Sequence, residues 1–368
     1  MSVKSKLAIF LLSLGVSSCH IPSRVTMAGS GGRSSYNEAI QKTNNEQMLL
    51  NLVRLRYFDI PYFLDVGSVT SQFTVRTSAN ASVKIPGFDE GNPVGIGGDI
   101  SWQNQPTIQY SPLEGHAFAA QLLRPLDLRI IQQMIYSGWD IDRVFRVVIQ
   151  SFNGLVNAPE ASGPTPVYNP HQGDFYEATA LLRDLQKQGK LQVGVRIDAS
   201  TETHCNKETH CLQFAFPVEN PLSKKLVEIL PDVKTMKDSY VLQMKLGFNL
   251  NGNIGIMPRS ILSCMYYLSE GVVVPYEDLQ KGYVEQTVDA DGGIFDWKEL
   301  LGGLMSIKSS PTYPKDSYVC IKYKGNWFYI ANNDLTSKKT FVLLLQLYNL
   351  QAGEASKVAA PILTIPLG

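Results

Sequence analysis

The spacing of apolar residues alternates between two periods along this chain. Leu191, Val193, Val195 and Ile197 are separated by polar or small residues, which is the two-residue period of a half-buried strand. Between residues 141 and 152, apolar side chains recur every three or four positions, which is the period of a helix. Segments of both kinds follow one another, so the sequence predicts an α+β fold in which helices pack on antiparallel β-meanders and hairpins.

These periods place the individual elements. Helices are predicted over residues 36–57, 112–153 (broken at Gly138), 175–188, 222–230, 259–270 and 337–350. Strands are predicted over residues 63–75, 81–85, 100–110, 191–197, 212–216, 240–246, 318–323, 327–330 and 362–366. The strand pair 318–323 and 327–330 is predicted to close as a hairpin across the glycine-containing turn between its members.

Composition divides the chain into five parts. Residues 1–18 predict a signal peptide, and the Gly- and Ser-rich residues 19–35 predict a flexible tether. Residues 36–157 and 174–368 are predicted as two α+β subdomains that pack closely together. The segment 158–173 contains four prolines and is predicted to connect them.

The first residues have the layout of an export signal that ends at Cys19. Lys4 and Lys6 provide a basic start, and an apolar run extends from Leu7 to Val16. This run has about ten residues, whereas a helix that crosses a bilayer needs about twenty. A cleaved secretory signal is therefore favoured over a transmembrane helix.

The residues from Val16 to Cys19, Val-Ser-Ser-Cys, resemble the bacterial lipobox, whose usual form has Leu first and Ala or Gly before the cysteine. The resemblance implies cleavage before Cys19 and acylation of its thiol by fatty acids such as palmitate; the alternative is an ordinary cleaved signal with a coincidental cysteine. Each buried methylene of an acyl chain contributes about 0.8 kcal/mol, so several chains anchor firmly. His20 stands where Asp typically retains lipoproteins in the inner membrane, so we expect a periplasm-facing outer-membrane protein.

The charge balance limits the partners of this chain. It has 33 Lys and Arg against 33 Asp and Glu, with no basic excess to neutralise phosphates. Nucleic acid is therefore not an expected partner. The expected partners are the membrane, through the N-terminal lipid, and other envelope proteins. No motif predicts a cofactor.

A doubled Glu-Thr-His-Cys places four metal-ligating side chains close together: His204, Cys205, His210 and Cys211. Each histidine directly precedes its cysteine, whereas structural zinc sites usually separate paired ligands by about two to four residues. In an oxidising compartment, a Cys205–Cys211 disulfide is the favoured prediction, with free thiols and a metal site as alternatives. Two further cysteines lie in apolar stretches and are either paired or buried free thiols: Cys264 and Cys320.

Local hydrolase signatures are absent from the sequence, since neither Gly-x-Ser-x-Gly nor His-Glu-x-x-His occurs. His116 opens an apolar helix, where a capping or packing role is favoured over that of a catalytic base. His171 lies in the proline-rich segment and is predicted to be a surface residue. The Gly95–Gly98 run precedes a predicted strand, so it is interpreted as a turn and not as a phosphate-binding loop.

Charged residues gather where the first predicted helix ends. Arg54 and Arg56 lie beside Asp59 and Asp65 in the sequence. A buried guanidinium needs partners within hydrogen-bonding distance. We therefore predict an interior ion network among these four residues that fixes the helix against the sheet.

Several segments resemble a widespread family of uncharacterised Gram-negative envelope lipoproteins. They are EQMLLNLVRLRYFDIPYFLDVGSVTSQF (46–73), SPLEGHAFAAQLLRPL (111–126), YSGWDIDRVFRVVIQSFNGLVN (136–157) and GNWFYIANNDLTSKKTFVLLLQLYNLQAG (325–353). The resemblance covers most of the mature chain and implies an envelope lipoprotein. It implies no catalytic residue, because the family has no established reaction.

These observations lead to three functional hypotheses. The favoured one is an outer-membrane lipoprotein that acts non-enzymatically as a structural or interaction component of an envelope assembly, such as an accessory of a secretion-system outer-membrane complex. The second is a periplasm-facing hydrolase on cell-envelope substrates, with His116 as candidate base. The third is a metal-binding protein that uses the His-Cys loop.

Overall fold

The computed structural model describes residues 32–81, 96–198, 209–230, 233–247, 255–352 and 363–366. The chain forms two compact units. Unit 1 comprises the described residues of Met1–Asn44, Val66–Tyr110 and Ile362–Gly368, and unit 2 comprises those of Asn45–Asp65 and Ser111–Pro361.

Helices and strands are interspersed along the described residues. The helices are α1 (Gly32–Arg56), α2 (His116–Leu123), α3 (Leu128–Tyr136), α4 (Ile141–Val148), α5 (Phe175–Lys187), α6 (Pro221–Ile229), α7 (Ile261–Ser269), α8 (Tyr276–Gln280), α9 (Lys298–Leu301) and α10 (Leu335–Ala352). The strands are β1 (Phe63–Ala81), β2 (Ile96–Leu113), β3 (Ile149–Phe152), β4 (Leu155–Val156), β5 (Gln192–Asp198), β6 (Thr209–Pro217), β7 (Lys234–Met236), β8 (Ser239–Leu246), β9 (Gly255–Pro258), β10 (Lys308–Ser310), β11 (Ser317–Tyr323), β12 (Asn326–Ala331) and β13 (Leu363–Pro366). The fold is α+β, as the sequence predicts.

The described residues of unit 1 form a three-stranded sheet in the order β1-β2-β13. Strand β13 runs antiparallel to β2, with Leu363 opposite Tyr110 and Pro366 opposite Thr107. Three predicted strands are therefore present, and β1 and β2 extend beyond their predicted bounds. Of the predicted strand 81–85, only Ala81 falls within the described residues.

The described part of unit 2 contains a seven-stranded sheet in the order β4-β3-β9-β8-β6-β5, with β7 paired to β8. Its pairs are antiparallel except β8 and β9, which run parallel. The predicted hairpin partners pair as β5 and β6, with Gln192 opposite Ala215. The proline-rich segment 158–173 lies within this unit, with strands of the same sheet before and after it, and includes a 3-10 helix at Pro159–Ser162.

A smaller sheet of unit 2 has the order β10-β12-β11. Its predicted hairpin closes with Tyr323 opposite Asn326. Lys324 and Gly325 both have positive φ, 44° and 88°. Two central residues with positive φ match the right-handed twist of the flanking strands, so this tight turn fixes the hairpin register.

The predicted helix over residues 112–153 is too long at its carboxyl end. Helix α4 stops at Val148, and Ile149–Phe152 is strand β3, which pairs with β9. Ile149 and Phe152 are both buried, and a spacing of three fits a helix as well as a short buried strand. The pairing with β9 therefore decides the outcome, and the local pattern alone does not.

Aromatic side chains connect α4 and α5 to the large sheet. The Phe145 ring lies 5.4 Å from the Phe152 ring and 5.7 Å from the Phe214 ring, and Phe175 lies 5.2 Å from Phe152. All four are fully buried, and burying each ring contributes about 1.5–3 kcal/mol. This cluster is part of the unit 2 core.

Arg259, just before α7, is fully buried in this unit. Its guanidinium donates to the backbone carbonyls of Arg146, Val147, Ile149, Asn157 and Ala158. Its Nε donates to Ser162 Oγ at 3.0 Å, and its Cζ lies 4.1 Å from the centre of the Tyr267 ring. The carbonyls at the end of α4 carry the negative end of its helix dipole, which favours a cation there. Through its hydrogen bonds the guanidinium connects α4, α7 and the 3-10 helix.

Candidate functional site

A cavity of about 550 Å³ lies within unit 2. Residues 270–274, 294–306 and 334–337 contribute most of its lining. Val273 N donates to Ile307 O at 2.8 Å, and Ile307 N donates to Gly271 O at 2.9 Å, so these bonds hold two of the segments together. A Cβ at Gly271 would lie 2.8 Å from the Met305 carbonyl oxygen, so this approach requires glycine. The volume is within the range of small-molecule sites.

The cavity wall is largely apolar. Val272, Phe295, Leu301, Leu304 and Met305 line it, and all five are buried. The Phe295 ring meets the Trp297 ring edge-on, with centres 5.2 Å apart and an interplanar angle of 88°. Rigid aromatic contacts of this kind keep the wall in a defined shape.

Trp297 also lines the cavity, and its indole Nε1–H is buried. Among the described residues this donor has no acceptor. A buried donor without a partner destabilises a fold by about 1–3 kcal/mol. The Trp297 N–H is therefore a buried donor without an acceptor in the described part of the chain.

A buried ion pair borders the cavity at the carboxyl end of α1. Arg56 Nε lies 3.4 Å from Glu270 Oε2, and the two side chains are only 7% and 1% exposed. Thr165 Oγ1 donates to Glu270 Oε1 at 2.6 Å and accepts from Arg56 Nη1 at 3.1 Å. Arg56 Nη1 also donates to the Glu285 carbonyl oxygen at 3.0 Å. The pair thus has hydrogen-bonding neighbours, as a buried pair requires.

Burial perturbs both members of the pair. It raises the pKa of Glu270, while the charge of Arg56 and the hydrogen bond from Thr165 act in the opposite direction. It lowers the pKa of Arg56, against the attraction of Glu270. Each charge is thus disfavoured by desolvation and maintained by the other charge.

The ion network predicted at the end of α1 has other partners in the structure. Arg56 pairs with Glu270, and Arg54 Nη1 donates to Asn51 Oδ1 at 3.3 Å. Asp59 lies 3.2 Å from Lys324 Nζ and accepts a hydrogen bond from the Tyr323 hydroxyl, which lowers the Asp59 pKa. Asp65 is exposed. The predicted pairing was wrong because Arg56 and Asp59 pair with residues that are distant in sequence.

Lys324 is surrounded by tyrosine rings. Its Nζ lies 5.2 Å from the centre of the Tyr57 ring, 5.5 Å from that of Tyr323 and 5.8 Å from that of Tyr283. The Tyr57 hydroxyl in turn donates to Asp278 Oδ2 at 2.6 Å. These contacts attach the turn between β11 and β12 to α1 and α8.

A contact stretch, defined as Phe58, Ile60 and Tyr62, follows α1. These side chains are 45%, 84% and 45% exposed. Phe58 has φ 57°, and its N–H donates to Leu55 O while Asp59 N–H donates to Arg54 O. This is the Schellman ending of a helix, with phenylalanine at the left-handed position where glycine is usual.

Two amide side chains of α1 fix the backbone at the end of the contact stretch and just beyond it. Asn51 Nδ2 donates to Tyr62 O at 2.8 Å, and Tyr62 N donates to Asn51 Oδ1 at 3.0 Å. Gln47 makes the same two-way contact with Leu64, at 3.1 and 2.7 Å. Because both amides satisfy backbone groups in the manner of a neighbouring strand, the exposed side chains are presented in fixed positions.

Several predicted site residues lie outside the described residues. These are Cys19, His20, His204 and Cys205. Acylation of Cys19 and the Cys205–Cys211 disulfide therefore stay predictions. Cys211 itself is buried on β6. Among the described residues, no three His, Cys, Asp or Glu side chains group as metal ligands would.

Cys264 and Cys320 are both free thiols. Cys264 is fully buried in α7, and burial raises its pKa to about 12. Cys320 is half-buried on β11, opposite Tyr329 of β12. The sequence left open whether these two cysteines are paired or are free thiols, and the structure shows them as free thiols.

His116 and His171 are not among the residues that line the cavity. His116 is exposed at the first position of α2 and is not one of the residues that line the 550 Å³ cavity. His171 is exposed, as predicted, with Nδ1 2.5 Å from Glu160 Oε1. Glu270 and Trp297 were not singled out from the sequence, because both lie in segments whose contacts come from distant parts of the chain.

Comparisons with known proteins leave the family open. No protein family, curated protein or solved structure matches this chain. The resemblance to envelope lipoproteins therefore stays a prediction. The helices in the described ranges are each too short or too polar to cross a membrane.

Proposed function

We propose that this chain is an outer-membrane lipoprotein, anchored through acylated Cys19, that acts non-enzymatically by contact with other proteins of an envelope assembly. The anchor is supported by the basic start, the short apolar run and the lipobox-like residues that end at Cys19. One such role is that of an accessory protein in a secretion-system outer-membrane complex. The observation that carries the contact role is the conformation of Phe58.

Phe58 combines two unfavourable features. A bulky residue at positive φ is strained by about 1–3 kcal/mol, and such strain is concentrated at functional positions. The ring is nevertheless 45% exposed, so burial within the chain offsets little of the strain. Ile60 and Tyr62 extend the apolar surface, and Asn51 holds it in place. Contact with a partner that covers these side chains would explain why phenylalanine stands where glycine would fit.

Substitutions at Phe58 distinguish its effect on stability from its effect on partner binding. Phe58→Gly should raise the free energy of unfolding by about 1 kcal/mol, because glycine adopts positive φ without strain. Phe58→Ala is the matched control, since it removes the ring and keeps the strained Cβ. Both variants should lose the partner contact, whereas only the glycine variant should gain stability in urea denaturation.

The contact itself can be tested by photocrosslinking of the full lipidated chain in intact outer membranes. A photoreactive residue at Ile60 should give a discrete adduct that disappears with either Phe58 variant. The same residue at exposed Lys225 on α6 should give none. An adduct at Ile60 that survives both Phe58 variants, or no adduct at all, would overturn the contact role.

The anchor has a separate test. Labelled palmitate should be incorporated into the full chain and lost on Cys19→Ser, while Cys264→Ser serves as the matched control. Label that persists without Cys19 would refute the lipoprotein assignment.

The alternative function is hydrolysis of a cell-envelope substrate. It is favoured by one observation, the raised pKa of Glu270 beside the cavity, because perturbed carboxylates are concentrated at catalytic sites. The test compares turnover of peptidoglycan and phospholipid by the unmodified chain, by Glu270→Gln and by His116→Ala. Activity that depends on Glu270 would establish this alternative, and activity unchanged by Glu270→Gln would rule out that role.

A further inference from the structure

We propose that the outer edge of strand β1 pairs with the same edge of a second copy of this chain, so that the two three-stranded sheets become one continuous sheet. The bonds between the copies are backbone hydrogen bonds of β1. The interface is therefore independent of the side chains of the contact stretch and of the lipid on Cys19. The position, the length and the sequence of β1 identify this partner.

Strand β1 lies at one edge of its sheet. In the order β1-β2-β13 it has β2 on one side, and no strand in the described part of the chain lies on its other side. Because β13 pairs only with residues 107–110 of β2, most of the described sheet is a ribbon of two strands. Such a ribbon is marginally stable in water unless further strands join it. The outer edge of β1 presents a row of backbone groups that one further strand can bind.

The contacts of Leu64 show which residues of β1 face outward. Both of its backbone groups bond to the Gln47 side chain, Leu64 O at 3.1 Å and Leu64 N at 2.7 Å, so they point away from β2. Backbone groups alternate in direction along a strand, so those of even-numbered residues point to the same side as Leu64 in a regular strand. From Val66 to Asn80, no described strand covers this side.

The length of this edge favours a partner strand of the same length. Strand β1 has 19 residues, which corresponds to about 60 Å at about 3.3 Å per residue. A strand of ordinary length, about five or six residues, would cover about a third of the edge or less. The β1 strand of a second copy would cover all of it.

The sequence of β1 lacks the usual protection of an edge strand. It contains no proline and only two charged residues, Asp65 and Arg76. Natural proteins commonly place proline, lysine or other charges in exposed edge strands, because these prevent pairing with another chain. Strand β2 differs, since Pro106 has no N–H to donate and β13 already occupies residues 107–110. Strand β1 is thus the edge that a second copy can bind.

A two-fold axis perpendicular to the sheet would place the two β1 strands antiparallel. The same residues of both copies then form both sides of the interface, and the assembly closes at two copies. The strand order across the dimer is β13-β2-β1-β1-β2-β13.

Hydrogen exchange tests the pairing in the full chain with Cys19→Ser, which removes association through an acyl chain. At high protein concentration, the even-numbered and the odd-numbered amides of β1 should both be protected. On dilution to the monomer, the even-numbered amides should exchange at least about tenfold faster, whereas the odd-numbered amides, which face β2, should change less than about twofold. The amides of β5, the edge strand of the large sheet, should not respond to concentration.

Thr70→Pro removes one outward N–H near the middle of this edge and puts a ring where the neighbouring strand must approach. It should raise the Kd of the dimer at least about tenfold in sedimentation equilibrium. Proline is tolerated on the outer side of an edge strand, so the odd-numbered amides should stay protected. Thr70→Val is the matched control, because it keeps the N–H and a β-branched side chain, and it should leave the Kd unchanged.

A dimer whose even-numbered β1 amides lose protection on dilution, and which Thr70→Pro weakens, would support the proposal. A monomer at every concentration, or a dimer whose β1 amides do not respond to dilution, would overturn it. Even-numbered amides that are protected in the monomer would also overturn it, because another segment of this chain would then cover the edge. Oligomers larger than the dimer would contradict the two-fold arrangement. None of these results depends on Phe58, so the contact role stands or fails separately.

Discussion

Two arginines are buried in the described part of unit 2, and the protein accommodates them in different ways. Arg259 donates to five backbone carbonyls and to Ser162, with the Tyr267 ring over its guanidinium. Arg56 instead faces the carboxylate of Glu270, with Thr165 hydrogen-bonded to both. Burial lowers the pKa of both arginines.

The two arginine sites differ in whether the groups around the guanidinium can change their charge. Backbone carbonyls keep their partial charge at every pH and their position as long as the fold persists, so the surroundings of Arg259 are fixed. Glu270 can take up a proton, and it borders a cavity that solvent or a ligand can enter. The first arrangement joins elements, whereas the second can respond to its environment.

The largest loss of stability is expected on substitution of Arg259. Arg259→Met should lower the free energy of unfolding by at least about 4 kcal/mol, because several buried carbonyls lose their donor at about 1–3 kcal/mol each. Urea denaturation measures the loss. Arg259→Lys is the informative control, since it keeps the charge and loses the planar fork, and it should recover less than half. A loss below about 1 kcal/mol would contradict the assignment of a fixed structural role.

Arg56→Met should cost about 3 kcal/mol at neutral pH, because it leaves the Glu270 carboxylate buried without its counter-charge. Adding Glu270→Gln to this variant should restore most of the loss, since no uncompensated charge then remains. No single second change can rescue Arg259→Met in this way. Additive losses in the double variant would show that the pair is not coupled.

The pH dependence distinguishes the two sites further. The folded chain holds the Glu270 proton more tightly than the unfolded chain, because the folded pKa lies above the ordinary value of 4.5. The resulting stabilisation is complete below that value and is lost as pH rises through the folded pKa, by at most about 1.4 kcal/mol per pH unit.

Glu270→Gln should remove this component of the stability profile, whereas Glu228→Gln on the exposed face of α6 should leave it in place. Unfolding measured from pH 4 to pH 8 compares the three proteins. Parallel profiles for the unmodified chain and Glu270→Gln would show that Glu270 does not titrate differently on folding.

The smallest effects are expected at the two hydroxyls. Thr165→Val removes a donor to Glu270 and an acceptor for Arg56, and should cost about 1–2 kcal/mol. Ser162→Ala removes one acceptor among six at Arg259 and should cost about 0.5 kcal/mol. Equal losses in thermal unfolding would mean that the two guanidiniums depend on their neighbours to the same degree.

The sequence predicts those parts of the fold that local patterns determine. The hairpin of β11 and β12 follows from two alternating segments and a glycine turn, and α5 follows from one apolar face that ends before Gly189. Strand β3 was missed because Ile149 and Phe152 fit either period, and its state depends on pairing with β9. Short buried segments are decided by contacts that local spacing does not contain.

The candidate site was less accessible from the sequence. The charged residues at the end of α1 predicted that Arg56 is buried and paired, but its partner lies on a distant segment. Nothing local to Trp297 indicates that its N–H has no acceptor, because that follows only from the arrangement of three separate segments. Phe58 occupies the left-handed position that ends α1, where glycine is usual. The sequence would have indicated this only if the end of α1 had been known.

The connections of Arg259 also bear on how quickly the chain folds and how long it stays folded. Its guanidinium acceptors lie 97 to 113 residues earlier in the chain, so they become available only after a long loop has closed. Interactions that form after the transition state slow unfolding and leave the folding rate almost unchanged. We therefore expect Arg259 to act mainly on the lifetime of the folded protein.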